Sequence, residues 1–232
     1  VTKPWGYEYL AFENDLVAIW ILHIVRKRRT SMHCHPKKQT SLTVLSGNAT
    51  CFNLDGQQQL GAMDCLNIDK GVYHSTEASS KLEIDPFSEN GIWVMEIETP
   101  PNKTDLVRME DPYGRAGKSY EGQGEMVFDP ECLFQIKTPK AGKVFKKNFN
   151  GCDITVISGE KLRQLQHVSP QALIAVIARK VEDESGNQFL QPGQLKLYKE
   201  FSDNVRNDDL SEYTFIMIQK ARSMKLTDYV FS

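Results

Sequence analysis

Two histidines, His33 and His35, stand two residues apart in the stretch Thr30-Ser31-Met32-His33-Cys34-His35-Pro36, and a third, His74, follows Gly71-Val72-Tyr73. On an extended chain, residues i and i+2 project to the same face, so both imidazoles of the pair can address one ion. His74 follows a strand-like run and a turn that can return it to the same place. Three neutral imidazoles with open positions left for water or substrate suit a divalent Zn, Fe, Mn, Ni or Co ion. The chain has five histidines, and three of them fall in this pattern. Cys34, between the paired histidines, is expected on the opposite strand face as a buried thiol. His23, beside Trp20 in an apolar run, is expected to pack rather than ligate.

The elements that must position these groups are short strands. The first half reads as strands over Val17–Ile24, Ser41–Leu45, Ala49–Phe52, Cys65–Ile68, His74–Glu77, Lys81–Asp85 and Ile92–Glu98, with Gly- or Asn-bearing turns such as Ser46-Gly47-Asn48 and Asp55-Gly56 between them. Residues 99–124 are rich in Pro, Gly and charge, and read as a connector crossing the surface. It concentrates Arg108, Tyr113, Arg115 and Tyr120, residue types suited to phosphate, carboxylate or sugar hydroxyls; with Lys38 they are the candidate substrate contacts. An equal alternative is a connector tied down by Arg–Asp pairs, Arg108 with Asp105 or Asp111.

Strands resume over Leu133–Ile136, Ile154–Ile157, Leu173–Glu182, Gln188–Leu190, Leu195–Tyr198 and Tyr213–Gln219, with one helical turn at Glu160–Gln166. Residues 44–64 and 176–195 share a plan of strand, strand, Gly-bearing turn and a further Gly, which points to a duplicated unit. An all-β protein of two barrels is expected, a first domain over residues 1–122 and a second over 123–232.

The histidine stretch and its sequel resemble the cupin superfamily. Its first motif has the form HxH, three or four residues, Glu, six residues and Gly, and here His33, His35 and Gly47 match. Its second, Pro-x-Gly-x-x-His, is met by Gly71 and His74, with Asp69 at the Pro position. The resemblance covers roughly residues 15 to 98. The opening Lys3–Leu10 (KPWGYEYL) and the phrase TSMHCH are similar to sugar cupins of the mannose-6-phosphate isomerase type. The family's Glu ligand falls at position 39 or 40, where this chain has Gln39 and Thr40. Gln39 offers a neutral carbonyl oxygen as a fourth ligand, and loss of the carboxylate removes a charge that offsets the cation.

The resemblance implies double-stranded β-helix barrels: a metal-binding N-terminal barrel and a degenerate, metal-free C-terminal one, whose only histidine is His167. It also allows a homodimer. It implies a metal-dependent enzyme on a sugar or sugar phosphate, most simply an aldose–ketose isomerase. Glu77 and Glu96, on predicted strands of the same barrel, are the candidate bases. Two alternatives stand beside it: a non-catalytic sugar or nucleotide-sugar binder of polysaccharide metabolism, and an Fe(II) dioxygenase.

Composition bounds the partners. Charged residues are 25% of the chain and the net charge is −2, which gives no bulk electrostatic reason for nucleic acid or an anionic membrane as partner. The basic run Arg26–Arg29 reads as a solvated turn. No apolar stretch approaches the ~18 residues needed to span a bilayer, and no signal-peptide pattern opens the chain. Five cysteines without a CxxC pair are expected as reduced thiols, hence a cytoplasmic protein.

Overall fold

The computed structural model describes residues 1–79, 90–116, 133–140, 143–165, 167–179, 191–205 and 209–221. The first half is built from β1 (Thr2–Lys3), β2 (Gly6–Glu13), β3 (Ala18–Val25), β4 (Met32–Cys34), β5 (Gln39–Ser46), β6 (Ala49–Phe52), β7 (Gln57–Leu60), β8 (Cys65–Ile68), β9 (Ser75–Ala78), β10 (Gly91–Thr99) and β11 (Val107–Glu110). One antiparallel sheet has the order β1-β2-β3-β10-β5-β8, and a second carries β7-β6-β9. Single bridges Arg29↔Glu77 and His33↔His74 attach the β4 segment to β9, and β11 pairs with β4. The second layer therefore runs β7-β6-β9-β4-β11.

The chain passes from one layer to the other between β3 and β4, β4 and β5, β5 and β6, β7 and β8, β8 and β9, β9 and β10, and β10 and β11. That alternation makes the first half a double-stranded β-helix, the barrel expected from the sequence.

Period-two patterning gives the first sheet two apolar faces. Leu22, Ile24, Leu42, Val44, Ile92 and Val94 turn inward against Ala49, Cys51, Leu60 and Ala78 of the second layer. Tyr9, Ala11, Ile19, Ile21, Met95 and Ile97 form the outer face and are buried by the second half of the chain. A sheet apolar on both faces needs a layer on each. Here the second layer of the barrel covers one and the C-terminal sheet covers the other.

That C-terminal sheet is antiparallel, in the order β12-β13-β16-β14-β15, from β12 (Phe145–Phe149), β13 (Cys152–Ser158), β14 (Leu173–Arg179), β15 (Lys196–Leu197) and β16 (Tyr213–Lys220). Ile154, Val156, Leu173, Ala175, Ile216 and Ile218 meet the barrel. On its far face Ile157, Ile174, Val176 and Phe215 lie under Leu162 of α1 (Gly159–Leu162) and Phe201 of α2 (Tyr198–Asn204). Asn67 pins the two halves through its amide: Nδ2 donates to the Leu195 carbonyl at 2.8 Å, and the Leu195 N–H donates to Oδ1 at 3.0 Å.

Several boundaries differ from expectation. Residues 133–136 are not a strand; Phe134 and Ile136 are buried in the shared core, but the segment is irregular and Ile136 makes one backbone bond to Ala11 rather than a ladder. Tyr198 starts a helix instead of ending a strand, because Phe201 and Val205 repeat at helical spacing over the sheet. The expected connector carries β11, whose pairing sets Arg108 opposite His33. Among the described residues the second half is one five-stranded sheet with two short helices. The expected strands Lys81–Asp85 and Gln188–Leu190 and the expected boundary between 122 and 123 lie outside the described residues. No described helix is long and apolar enough to cross a membrane.

The shared core predicts one cooperative unit. Ile154→Ala, at a site with no exposed surface, is expected to cost about 2–5 kcal/mol and to lower a single unfolding midpoint in denaturant. A biphasic transition in which only one phase moves would contradict a common core.

Candidate metal centre

His33 lies in β4, His35 follows one residue after its end, and His74 immediately precedes β9. The backbones of His33 and His74 exchange two hydrogen bonds, His33 N–H to the His74 carbonyl at 3.0 Å and His74 N–H to the His33 carbonyl at 2.8 Å. Directly opposed residues of such a pair present their side chains on one face. The His33 and His74 ring centroids are 4.4 Å apart, and His35 closes the triangle at 4.9 Å from His33 and 5.5 Å from His74.

The tautomers follow from the hydrogen bonds. His33 Nδ1 lies 2.8 Å from the Ser31 carbonyl, His35 Nδ1 2.6 Å from the Asp105 carbonyl, and His74 Nδ1 3.1 Å from the Val72 carbonyl. A carbonyl only accepts, so in each neutral ring Nδ1 carries the proton and Nε2 carries the lone pair. One ligand nitrogen from each ring lies within 4.8 Å of the other two. Among the described residues His74 Nε2 is buried without a partner, a lone pair that a cation would satisfy.

Burial holds the rings neutral. It lowers His33 well below the ordinary imidazole value, His35 to about 2 and His74 to about 4; neighbouring positive charge, from Lys38 on His35 and His74, acts in the same direction. These residues thus fit a divalent metal ion: three deprotonated, pre-oriented nitrogen donors, each with its second nitrogen fixed by a carbonyl. Asp105 organises the approach, since its carboxylate also accepts from the N–H groups of Lys37 at 2.8 Å and Lys38 at 3.0 Å.

Beside the imidazoles is a cleft of about 490 Å³, part of it open to solvent, which His33 and His35 line together with charged side chains. Lys38 Nζ is 2.8 Å from Glu98 Oε1; Lys103 Nζ bridges Glu98 at 3.6 Å and Glu8 at 3.4 Å; Lys3 meets Glu8 at 3.7 Å. Lys103 also stands 3.7 Å above the Trp20 ring. Burial alone would lower the Lys103 ammonium, but Glu8, Glu98 and Glu96 more than reverse it. Lys38 moves the other way, because burial outweighs its attraction to Glu98. Burial pushes the Glu96 carboxyl up to about 7, against the opposing pull of Lys103.

The structure brings Lys38, Glu96, Arg108 and Arg115 into this cleft with the histidines. Arg115 is held by Asp111 through Nε at 2.9 Å and Nη2 at 2.8 Å. Tyr113 sits behind the cleft against the barrel core, its ring 5.4 Å from the Arg115 guanidinium. Two expected residues go elsewhere. Gln39 donates from Nε2 to Asp69 Oδ1 at 3.0 Å and borders a separate, smaller cleft with Thr40 and Ser41; it shares the outer face of β5 with Ser41 and Thr43, while strand alternation puts Thr40 on the inner face with Leu42 and Val44. Glu77 alternates with the inward Thr76 and Ala78 and opposes Thr50 on the outside of the barrel. Tyr120 lies outside the described residues. Glu98, Glu8, Lys3 and Lys103 were not anticipated. The i, i+2 spacing of Glu96 and Glu98 in the apolar run Gly91–Thr99 was the available signal, the same one that marked His33 and His35.

The imidazoles predict a pH dependence for protein stripped of metal by a chelator. Their folded pKa values lie below the unfolded value of 6.5, so between the two the unfolded chain binds more protons. Their contribution to stability is complete above pH ~6.5 and declines as pH falls toward 4. Denaturant midpoints measured from pH 8 to 4.5 are expected to decline below ~6.5, less steeply in a His74→Gln variant; identical profiles would contradict buried neutral rings.

No family model and no curated protein matches the sequence. Among solved structures, the chain is similar to an uncharacterized conserved protein with a double-stranded beta-helix domain from Klebsiella pneumoniae subsp. pneumoniae MGH 78578, at 19% identity and a TM-score of 0.39, covering 45% of this chain and 84% of that one. KdgF from Halomonas sp. is similar at 13% identity and a TM-score of 0.38, over 43% of this chain and 84% of that one. A sugar phosphate isomerase from a cupin superfamily, from Silicibacter pomeroyi, is similar at 11% identity and a TM-score of 0.35, over 41% of this chain and 58% of that one. These likenesses bear no weight for activity. Strand connectivity alone makes the first half of this chain a double-stranded β-helix.

Proposed function

We propose that the chain is a metal-dependent enzyme acting on a small sugar or sugar phosphate, its reaction an aldose–ketose interconversion. The observation that carries this reading is the cleft that His33 and His35, two of three converging imidazoles, share with Glu96, a carboxyl that burial raises to about 7. A carboxyl poised near neutrality can both take and return a proton, as movement of hydrogen between adjacent carbons requires.

His33, His35 and His74 hold the ion, one of Zn, Fe, Mn, Ni or Co. When bound it polarises a carbonyl and the neighbouring hydroxyl. Glu96 is the base: it removes the proton from the carbon beside the carbonyl and delivers it to the former carbonyl carbon, while the proton of the neighbouring hydroxyl passes to the former carbonyl oxygen. Arg108 and Arg115, at the same cleft, offer forked donors for a phosphate or for sugar hydroxyls. Lys38 and Lys103 add positive charge deeper in. The division into a metal barrel over 1–122 and a metal-free partner over 123–232, cytoplasmic residence and a homodimer belong to the same proposal.

A second reading is favoured by one observation. With Gln39 turned to Asp69, the ligands that converge among the described residues are three neutral imidazoles. A sugar-binding module that has given up turnover fits that weaker donor set. Iron on the same donors with oxygen uptake would mark a dioxygenase instead.

Assay of metal-loaded protein against a panel of hexose and pentose phosphates separates these readings. Turnover is expected, with a rising limb near pH 7. Glu96→Gln is expected to lower kcat about 10²–10⁴-fold with metal content unchanged. No turnover across the panel, or full activity in Glu96→Gln, would overturn the isomerase reading.

A further inference from the structure

We propose that Glu98, from β10, supplies the carboxylate that the histidine motif lacks at positions 39 and 40, acting as the charge-compensating group of the metal centre. The inference rests on the metal centre described above. Three neutral imidazoles leave the full charge of a divalent ion uncompensated in a buried site, which is costly unless an anion stands near.

Thr40 is the residue of this pair of positions whose side chain faces the interior, 1% exposed, with its hydroxyl buried and without a partner. Its directly opposed residue on the adjoining strand is Glu98. Side chains opposed in this way on one face are about 4.5–5.5 Å apart at Cβ. A carboxylate moved from position 40 to position 98 is therefore displaced by one strand and no more. Glu98 is 1% exposed and lines the cleft with His33 and His35. Its two oxygens are used differently: Oε1 takes Lys38 at 2.8 Å and Lys103 at 3.6 Å, while Oε2 is buried with no hydrogen-bond partner. A buried carboxylate oxygen left unpartnered is destabilising unless something else binds it. Among the described residues His74 Nε2, like the Thr40 hydroxyl, is a further buried atom without a hydrogen-bond partner. One cation with its bound solvent or substrate oxygens satisfies both Glu98 Oε2 and His74 Nε2.

Glu98 is not among the side chains that converge within 4.8 Å. Its part is therefore to accept from an oxygen held by the ion, with Lys38 and Lys103 fixing its position. Outer groups of this kind are worth about 10–100-fold in metal affinity.

The test is competition for Zn(II) and Mn(II) against a chromogenic chelator, with three variants beside the wild type and circular dichroism to check folding. Glu98→Gln, which keeps the shape and loses the charge, is expected to bind about 10–100-fold more weakly. Thr40→Glu in the Glu98→Gln background is expected to restore binding, because the carboxylate returns one strand away. Thr40→Glu alone is expected to change affinity less than threefold, since the carboxylate function is already filled; this arm decides the matter if Glu98→Gln does not fold. Wild-type affinity in a folded Glu98→Gln, failure of the folded double variant to recover, or a tenfold or larger gain from Thr40→Glu alone would overturn the role of Glu98. Absence of binding in the wild type would instead remove the metal centre itself, and this inference with it.

Discussion

Three backbone carbonyls decide what this site can be. Ser31, Val72 and Asp105 each engage one imidazole Nδ1, and those bonds commit every Nε2 to carry a lone pair toward the same point. If any ring were reversed it would present a proton to its neighbours, and the cluster would repel a cation instead of attracting one. Two of the carbonyls are local to their histidine, two residues upstream in each case. The third comes from a loop 70 residues away in sequence. The loop carrying Asp105 therefore connects the metal centre to the rest of the cleft, since its carboxylate also orders the backbone leading to Lys38.

The first sheet is the mechanical basis of that arrangement. Along β10 its inner face changes from Ile92 and Val94 to Glu96 and Glu98, which line the cleft together with Glu8. Its outer face is apolar along much of its length and is sealed by the C-terminal sheet, in a core drawn from both halves. Covering that outer face fixes β3 and β10 from behind, so that carboxylates in front can be held at buried positions against lysines. Buried ion pairs are weak contributors to stability but costly to break singly, at about 3–5 kcal/mol. Their value here is orientation: Lys38, Glu98, Lys103 and Glu8 hold one another, and Glu96 stands beside them, its pKa raised by burial against the pull of Lys103.

Much of this was legible in the sequence, and the exceptions have physical causes. The histidine triad could be read because strand periodicity puts residues 33 and 35 on one face, and the turn at Gly71 returns residue 74 to them. The barrel strands followed from the same alternation, with Ala49–Phe52 and Cys65–Ile68 placed to the residue. Gln39 stands apart from the imidazoles because on β5 only one of Gln39 and Thr40 can face inward, and pairing with β8 and β10 gives the inside to Thr40. The same alternation on β9 turns Glu77 outward. Short edge strands such as β7 and β11 carry little apolar signal, because their side chains are largely exposed. The contributions of Lys3, Glu8 and Lys103 depend on contacts between distant segments, which no local pattern encodes.

The central claim is that these imidazoles hold one metal ion per chain. Elemental analysis of purified protein beside a His33→Ala, His74→Ala double variant tests it most directly. The account predicts stoichiometric metal in the wild type and none above background in a folded variant; equal metal content in the two proteins would contradict it.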